Sequence, residues 1–259
     1  MTELKAVLLD LDDTIIYDDA TTEIVFASVA RHAHEVAGVD PAQLIAGVDR
    51  HAHAIWADGP APEWCHDLGT SATEGLRSLF PGDDPRMAAM RAWGPGFRFG
   101  SWRRALADSG IEDDDLAREL DRRFAEERLG TNDFIPGADV ALRELAGRFR
   151  LAMITNGLSD VQRVKVEGTG IGSLFEVIVV SGELGFGKPN PEIYHHTLRT
   201  LGVAPDEAIM VGDNIRRDVA GSQAVGMRGV WIAESAPSAE SSIHPDITIR
   251  TLAELPALI

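Results

Sequence analysis

Short apolar runs separated by helical patterns recur along the chain. The runs that we predict to be β-strands are Ala6–Asp10, Arg150–Thr155, Glu176–Val180, Ala208–Gly212 and Gly229–Ile232. Their residues are nearly all apolar, as expected of strands that are buried on both faces of a parallel sheet. Because these strands alternate with helical segments, the pattern predicts an α/β fold with a doubly wound parallel sheet.

A long stretch between the first two predicted strands carries helical patterns only. It is too long for an ordinary crossover connection, so we expect an inserted unit with a core of its own. The predicted domains are therefore a core of residues 1–17 and 133–259 and a mostly helical insertion of residues 18–132.

Helix signals inside the insertion are local. Asp40, Pro41 and Gln43 have the spacing of an N-cap, a first-turn proline and a capping-box partner, which predicts the start of a helix. Further helical stretches are predicted near Asp84–Trp93, Ser101–Ala107 and Asp114–Leu129. The Gly/Pro-rich segment Gly94–Gly100 between the first two of these predicts a turn.

Composition and charge exclude several function classes. The 259 residues carry a formal net charge of -17, with a pI near 4.8. The negative electrostatic field of such a protein repels the phosphates of a nucleic-acid backbone, so we expect no nucleic-acid partner. The chain starts without a recognisable signal peptide, and its first apolar run, Ala6–Leu9, is far shorter than a membrane span. With Cys65 as the single cysteine, the sequence predicts a cytoplasmic protein without a membrane partner.

Carboxylates cluster where the first predicted strand ends. Asp10, Asp12 and Asp13 follow the apolar run, and Thr14 comes next. Neighbouring carboxylates that are partly desolvated repel one another and raise each other's pKa values unless a cation compensates them. Because the ligands are hard oxygens, and no cluster of His and Cys is present, the pattern favours Mg²⁺ over zinc.

A second acidic cluster follows the fourth predicted strand. Gly212, Asp213 and Asn214 end this strand, and the chain continues to Asp218. The carboxyl ends of parallel strands share one edge of a sheet, which is where α/β proteins bind ligands. We therefore expect the two clusters to face a single site.

Four motifs in this order resemble a known family. Asp10-Leu11-Asp12-Asp13-Thr14 resembles the first motif of the haloacid dehalogenase (HAD) superfamily phosphatases. Thr155-Asn156-Gly157, Lys188-Pro189 and Gly212-Asp213-Asn214 with Asp218 are similar to the motifs that follow it in that family. The resemblance covers both ends of the core and implies a Rossmann-like HAD core, whereas the insertion matches a helical cap only in position and helical character.

The resemblance implies a reaction in two steps. Asp10 would be the nucleophile that forms an aspartyl-phosphate, and Asp12 the general acid and base, with a raised pKa. The Asp10 carboxylate, the Asp12 carbonyl and the Asp213 carboxylate would hold Mg²⁺. Asp218 would orient the water ligands of the ion or pair with Lys188.

The remaining family motifs supply phosphate contacts. Thr155 would donate its hydroxyl to the phosphate, Asn156 would add an amide or backbone donor, and Lys188 would neutralise the phosphate and the carboxylates. The insertion would act as a lid that sets specificity. The expected partner is a small phosphorylated metabolite, and the chain is expected to be a monomer or a homodimer.

Three other functions stay open for this fold. A 2-haloacid dehalogenase would share the nucleophile, but it needs neither an acid at position 12 nor Mg²⁺, so Asp12, Asp213 and Asp218 favour phosphate chemistry. A phosphomutase would move phosphate within its substrate instead of releasing it. A catalytically silent binding protein would keep the fold alone, since function depends on sites and not on folds.

Overall fold

The computed structural model describes residues 3–129, 132–233 and 242–259. Within these ranges six strands form one parallel sheet in the order β3-β2-β1-β4-β5-β6. The strands are β1 (Ala6–Leu9), β2 (Arg150–Thr155), β3 (Val177–Val180), β4 (Ala208–Gly212), β5 (Arg228–Ile232) and β6 (Ile247–Ile249). This is the strand order of a doubly wound Rossmann-like sheet, so the predicted fold class is confirmed.

The register of the sheet places the carboxyl ends of β1, β2 and β4 side by side. Leu9 at the end of β1 pairs with Met153 of β2 on one side and with Val211 of β4 on the other. The residues that follow these positions therefore emerge together at the carboxyl edge of the sheet. All five predicted strands are present, and β6 is an edge strand too short for its periodicity to be recognised.

Eleven α-helices surround the strands or form the insertion in the described ranges. They are α1 (Asp19–Ala37), α2 (Pro41–Ala57), α3 (Pro62–Leu68), α4 (Ala72–Gly75), α5 (Pro85–Asp108), α6 (Asp114–Leu129), α7 (Ala138–Ala146), α8 (Ser159–Thr169), α9 (Ser181–Leu184), α10 (Pro191–Leu201) and α11 (Gly221–Ala224). Each of these helices is too short or too polar to span a lipid bilayer.

The sheet is buried on both of its faces. Val7 and Leu9 of β1 point into one apolar cluster, which includes Leu142 of α7. Ala6 and Leu8 point into a second cluster on the opposite face. Successive side chains of a strand alternate between faces, so a strand that is covered on both sides must be apolar throughout. This is the physical origin of the uninterrupted runs in the sequence.

Helix α2 begins where its cap signals predicted. The side chain of Asp40 accepts a hydrogen bond of 2.8 Å from the backbone N–H of Gln43, and Pro41 is the first helical residue. Leu44, Val48 and Ala52 are buried along one stripe of the helix. Local capping and helical periodicity agree here, which is why the prediction is confirmed.

Helix α5 corrects the prediction of a turn at Gly94–Gly100. The chain stays helical from Pro85 to Asp108 and includes Pro95. Gly94 packs against Phe80 so closely that a Cβ would lie 2.7 Å from the ring. Phe97 is also buried in the core of the insertion. The prediction of a turn was wrong because the apolar packing of this helix outweighs the low helix propensity of Gly and Pro.

Contacts divide the chain into two units, each described by itself. One comprises Met1–Asp18, Asn132–Asn156 and Val166–Ile259, and the other comprises Asp19–Thr131 and Gly157–Lys165. These bounds lie near the predicted ones, except for the added segment Gly157–Lys165. The domain boundaries that the sequence suggests stay a prediction.

Apolar and polar contacts explain why the added segment belongs with the helical unit. Leu158 and Val161 lie in an apolar cluster with Trp64 and Phe80. The backbone N–H of Leu158 also donates a 2.5 Å hydrogen bond to the carboxylate of Glu74, a buried residue of α4. No local pattern indicated these contacts, because they join positions that are far apart in the sequence.

We expect Asp40→Ala to lower the free energy of unfolding of the helical unit by about 1 kcal/mol, because the first turn of α2 loses its N-cap. Urea unfolding followed by circular dichroism measures this change. Asp49→Ala is the matched control, because Asp49 is an exposed residue inside the same helix. Alanine is favourable at such a position, so this control should change stability by a few tenths of a kcal/mol at most. Equal effects of both variants would contradict the cap.

Candidate active site

Asp10 lies directly after β1 and is the first acidic residue of the site. Its backbone N–H donates to the carbonyl of Val211 at 2.9 Å, which extends the β1–β4 ladder by one residue. Its carboxylate Oδ1 accepts a hydrogen bond of 2.8 Å from the N–H of Leu11 and lies 2.8 Å from Nζ of Lys188. Asp10 is only 9% exposed, so the strand end presents a largely desolvated carboxylate.

Lys188 lies between two buried carboxylates. Its Nζ is 2.8 Å from Oδ1 of Asp10 and 2.7 Å from Oδ1 of Asp218. Lys188 is 2% exposed and Asp218 is fully buried. Burial lowers the pKa of Lys188, but the two carboxylates outweigh burial, and the net pKa is raised above its usual value. The ammonium group therefore stays charged at neutral pH, as a buried ion pair requires.

Asp213 adds a third carboxylate at the end of β4. One oxygen of each of Asp10, Asp213 and Asp218 lies within 4.8 Å of the others. Burial of the carboxyl, followed by the charges of Asp10 and Asp218, raises the pKa of Asp213 to about 7, although the residue as a whole is exposed. Burial also raises the pKa of Asp10 to about 6, with Lys188 opposing and Asp218 adding to the shift. The sequence prediction that distant acids share one site agrees with this geometry.

Three carboxylates facing one ammonium leave an excess of negative charge. Like charges at these distances disfavour full ionisation, which the raised pKa values of Asp10 and Asp213 reflect. A divalent cation with hard-oxygen preference fits such a donor set, because it removes the excess and needs no nitrogen or sulfur ligand. Asp218 is the least suited of the three to bind a cation directly, since its oxygens already accept from Lys188 and from the N–H of Asn214.

A comparison with known proteins identifies the family of this chain. A model described as haloacid dehalogenase-like hydrolase matches residues 4–226. The chain belongs to the haloacid dehalogenase-like hydrolases. A phosphoserine phosphatase of Thermus thermophilus is 36% identical over 253 residues, which are 97% of this chain and 98% of the relative. The predicted family and the predicted class of enzyme, a phosphoric monoester hydrolase, are thereby confirmed.

Solved structures of HAD proteins share the fold of this hydrolase. The putative HAD-hydrolase YfnB of Bacillus subtilis, in a structure bound to magnesium, aligns with a TM-score of 0.67 at 20% identity and 99% coverage of both chains. A 2-haloacid dehalogenase of Pseudomonas syringae aligns with a TM-score of 0.63 at 24% identity, covering 98% of this chain and 97% of the other. Because a dehalogenase shares this architecture, the fold alone does not decide the chemistry, and the site residues must.

Gly212 lets Asp218 reach Lys188 in this HAD-like hydrolase. A Cβ on Gly212 would lie 2.2 Å from Cγ of Asp218, a distance that no side chain tolerates. Asn214 helps from the other side, because its backbone N–H donates to Oδ2 of Asp218 at 3.0 Å. The sequence left two roles open for Asp218, and the structure places it in the ion pair with Lys188.

Asn156 has a contact that the sequence did not indicate. Its side-chain Nδ2 donates to the carbonyl of Lys188 at 2.8 Å, and its Oδ1 accepts from the N–H of Lys188 at 2.8 Å. Both ends of the amide therefore hold the main chain of the lysine. The side chain of Asn156 therefore positions Lys188. The expected donation to phosphate, from the amide or from the backbone, stays a prediction. Thr155, the last residue of β2, is buried at the same edge of the sheet.

The loop after β1 makes a tight turn. Asp13 adopts a positive φ of 52°, and its N–H donates to the carbonyl of Ile16 at 2.8 Å. Asp12 forms an isolated bridge with Ile16 and is partly buried. Asp can adopt this left-handed conformation more readily than most residues. The predicted raised pKa of Asp12 stays a prediction.

Two side chains that support the site had no role in the sequence analysis. The hydroxyl of Thr14 accepts a 3.1 Å hydrogen bond from the N–H of Asp213. The hydroxyl of Tyr194, on α10, donates to the carbonyl of Arg217, next to Asp218. Thr14 belongs to the first motif, which was a signal for its importance, whereas Tyr194 resembled an ordinary core residue of an amphipathic helix.

We expect Gly212→Ala to reduce phosphate release from an aryl phosphate by about 100-fold, because its Cβ would displace Asp218 and with it Lys188 by a large fraction of an ångström. Initial rates at saturating substrate measure the loss. Gly147→Ala is the control, because Gly147 has a helical φ of -74° and the nearest atom to a Cβ there would be 3.4 Å away. Full activity of Gly212→Ala with an intact fold would show that the position of Asp218 does not matter.

Proposed function

We propose that this protein is a Mg²⁺-dependent phosphatase that hydrolyses a small phosphorylated metabolite through an aspartyl-phosphate at Asp10. The observation that carries the proposal is the meeting of Asp10, Lys188, Asp213 and Asp218 at the carboxyl edge of the sheet. It combines a nucleophile, a fixed positive charge and a set of oxygen ligands, which are the parts that phosphoryl transfer requires.

Asp10 is positioned to act as the nucleophile. The contacts from Lys188 and from the N–H of Leu11 both go to Oδ1, so we assign Oδ2 as the oxygen that attacks phosphorus. The pKa of Asp10, about 6, leaves the carboxylate ionised at neutral pH. In the first step the bond from Oδ2 to phosphorus forms while the bond from phosphorus to the leaving oxygen breaks.

Asp12 supplies the proton transfers. In the first step it protonates the leaving alkoxide, so that an alcohol departs. In the second step it takes a proton from a water molecule, whose oxygen attacks phosphorus and breaks the bond to Asp10. Inorganic phosphate leaves, and both carboxyl groups return to their starting states. A dehalogenase needs no such group two residues after the nucleophile.

The cofactor that fits the site is Mg²⁺. The carboxylates of Asp10 and Asp213 and the carbonyl of Asp12 would hold it. When bound, Mg²⁺ neutralises the surplus of carboxylate charge and withdraws electron density from the phosphate oxygens. Lys188 supplies the fixed positive charge for the transferred phosphate, and the hydroxyl of Thr155 donates to it.

O-Phospho-L-serine is the first candidate substrate. The phosphoserine phosphatase relative is similar over nearly its whole length, so it matches this chain in the insertion as well as in the core. A lidded pocket, which the sequence analysis expects from the insertion, would distinguish serine from other alcohols. The lid, the cytoplasmic location and the choice between monomer and homodimer stay predictions.

We expect the wild-type protein to release phosphate from O-phospho-L-serine with a higher kcat/KM than from sugar phosphates or nucleoside monophosphates, and only when Mg²⁺ is present. Asp10→Asn should lower kcat at least about 1,000-fold, because the amide keeps the shape and loses nucleophilicity. A phosphate-release assay across a metabolite panel measures both effects. Asp49→Ala, an exposed change in the helical unit, should keep full activity.

Each alternative function gives a different result in this assay. Phosphate that moves within a sugar without release would identify a phosphomutase. Halide release from a 2-haloacid without Mg²⁺ would identify a dehalogenase. A folded wild-type protein without turnover on any substrate would favour the silent binding protein, and unchanged activity of Asp10→Asn would refute the covalent mechanism.

We also expect the affinity for Mg²⁺ to rise about 20-fold between pH 6 and pH 8. Protons compete with the ion for Asp213, whose pKa is about 7, and for Asp10, whose pKa is about 6, so binding becomes stronger as these groups ionise. Isothermal titration with Mg²⁺ measures the change. Asp213→Asn should bind the ion weakly and with less dependence on pH, and a flat profile in the wild type would contradict the assignment.

The same pKa shifts determine how the free energy of unfolding of the metal-free protein depends on pH. Both carboxyl groups have folded pKa values above the usual 3.8, so the folded state holds protons that the unfolded state has already released. Their contribution to stability is present at pH 4 and is lost as the pH rises through about 6 to 7. We therefore expect Mg²⁺ to raise the Tm more at pH 8 than at pH 5.

A further inference from the structure

Trp231 makes a direct contact with the main chain of Asp213. Its indole Nε1 donates a hydrogen bond of 2.7 Å to the carbonyl oxygen of Asp213. Trp231 lies on β5, where it pairs in register with Gly212, the last residue of β4. The side chain is partly exposed, so the hydrogen bond lies near the surface at the carboxyl edge of the sheet. An aromatic residue in a strand usually packs, whereas this one also donates to the site.

The two peptide groups that flank Asp213 are both held by side chains. The N–H of Asp213 donates to the hydroxyl of Thr14 at 3.1 Å, and its carbonyl accepts from Trp231. Thr14 is fully buried in the loop after β1. Together these contacts, one from the loop after β1 and one from β5, restrict φ and ψ of Asp213. Since φ and ψ set the direction of the Cα–Cβ bond, they also set where the carboxylate points.

Asp213 needs such support because it lies one residue beyond β4. Strand residues have ladder partners for their N–H and C=O groups, and a residue past the strand end must find others. Its carboxylate is also repelled by those of Asp10 and Asp218, which lie close to it. Without a fixed main chain, the repulsion would turn the carboxylate toward solvent and away from the other oxygen ligands.

We infer that Trp231 is a positioning residue for the divalent cation site, holding Asp213 in the conformation in which its carboxylate can bind the ion. This inference rests on the proposed function, because it presumes that Asp213 is a ligand of Mg²⁺. Trp231 acts through its indole N–H and touches neither substrate nor ion. Partners that orient metal ligands from outside the coordination sphere commonly have large effects on affinity.

The position of Trp231 in the sequence makes it a specific reporter. The chain has five tryptophans, of which Trp56, Trp64, Trp93 and Trp102 all lie in the insertion. Trp231 is therefore the one tryptophan of the sheet-containing unit. Its indole resonance should respond to Mg²⁺.

Trp231→Phe tests the inference because it keeps an aromatic ring and removes the N–H. We expect it to weaken Mg²⁺ binding about two- to tenfold, the effect of one lost hydrogen bond near the surface. Isothermal titration of the full chain with Mg²⁺ alone measures affinity without reference to turnover. Trp102→Phe is the matched control, because the buried indole Nε1 of Trp102 has no hydrogen-bond partner among the described residues. Its Mg²⁺ affinity should equal that of the wild type.

Different outcomes separate the inference from the proposed function. Wild-type affinity in Trp231→Phe, or equal weakening in Trp231→Phe and Trp102→Phe, would overturn the role of Trp231 and leave the phosphatase proposal intact. A wild-type protein that binds no Mg²⁺ would overturn the proposed cofactor and, with it, the inference.

A second measurement decides the matter if Trp231→Phe does not fold. In wild-type protein labelled with ¹⁵N-tryptophan, Mn²⁺ in place of Mg²⁺ should broaden the indole N–H signal of Trp231, because paramagnetic broadening is strong at short distance. Mg²⁺ should shift the same signal. Five indole signals that neither broaden nor shift under saturating metal would overturn the inference.

Discussion

The buried ion pair of Lys188 with Asp10 and Asp218 is the interaction on which the rest of this structure depends. A lysine that is 2% exposed has lost nearly all of its hydration, and only carboxylates at 2.8 and 2.7 Å make its charge stable there. Removing Lys188 would leave two buried carboxylates without a compensating charge. The loops of the site hold these charged groups together.

Much of this support comes from contacts to the main chain. Asn156 holds both peptide groups of Lys188, Asn214 donates to Asp218, and Tyr194 fixes the carbonyl of Arg217 beside it. Gly212 contributes by having no side chain, which leaves room for Asp218. Fixing the backbone on both sides of a charged residue limits its rotation, so the site is organised before any ligand arrives.

The charge balance of the site connects structure to chemistry. One lysine compensates less than the full charge of Asp10, Asp213 and Asp218, and the raised pKa values of Asp10 and Asp213 are the consequence. The same surplus that destabilises the ion-free site provides the attraction for a divalent cation and, through it, for a phosphate. Because HAD proteins of different activities share one fold, this local balance and the acid at position 12 carry the functional argument.

The sequence by itself determined the parallel sheet, the helical insertion and the acids at the ends of β1 and β4, because uninterrupted apolar runs and motifs are local patterns. Tertiary structure decided which side chains meet: Asn156 with Lys188, Trp231 with Asp213, and Glu74 with Leu158. It also made α5 continuous through Gly94, where local signals predicted a turn. Asn, Trp and Glu occur in many structural environments, so their identity alone does not indicate a partner. Contacts between residues far apart in the chain also produce no periodic pattern in the sequence. Such partners are therefore known only from the tertiary structure.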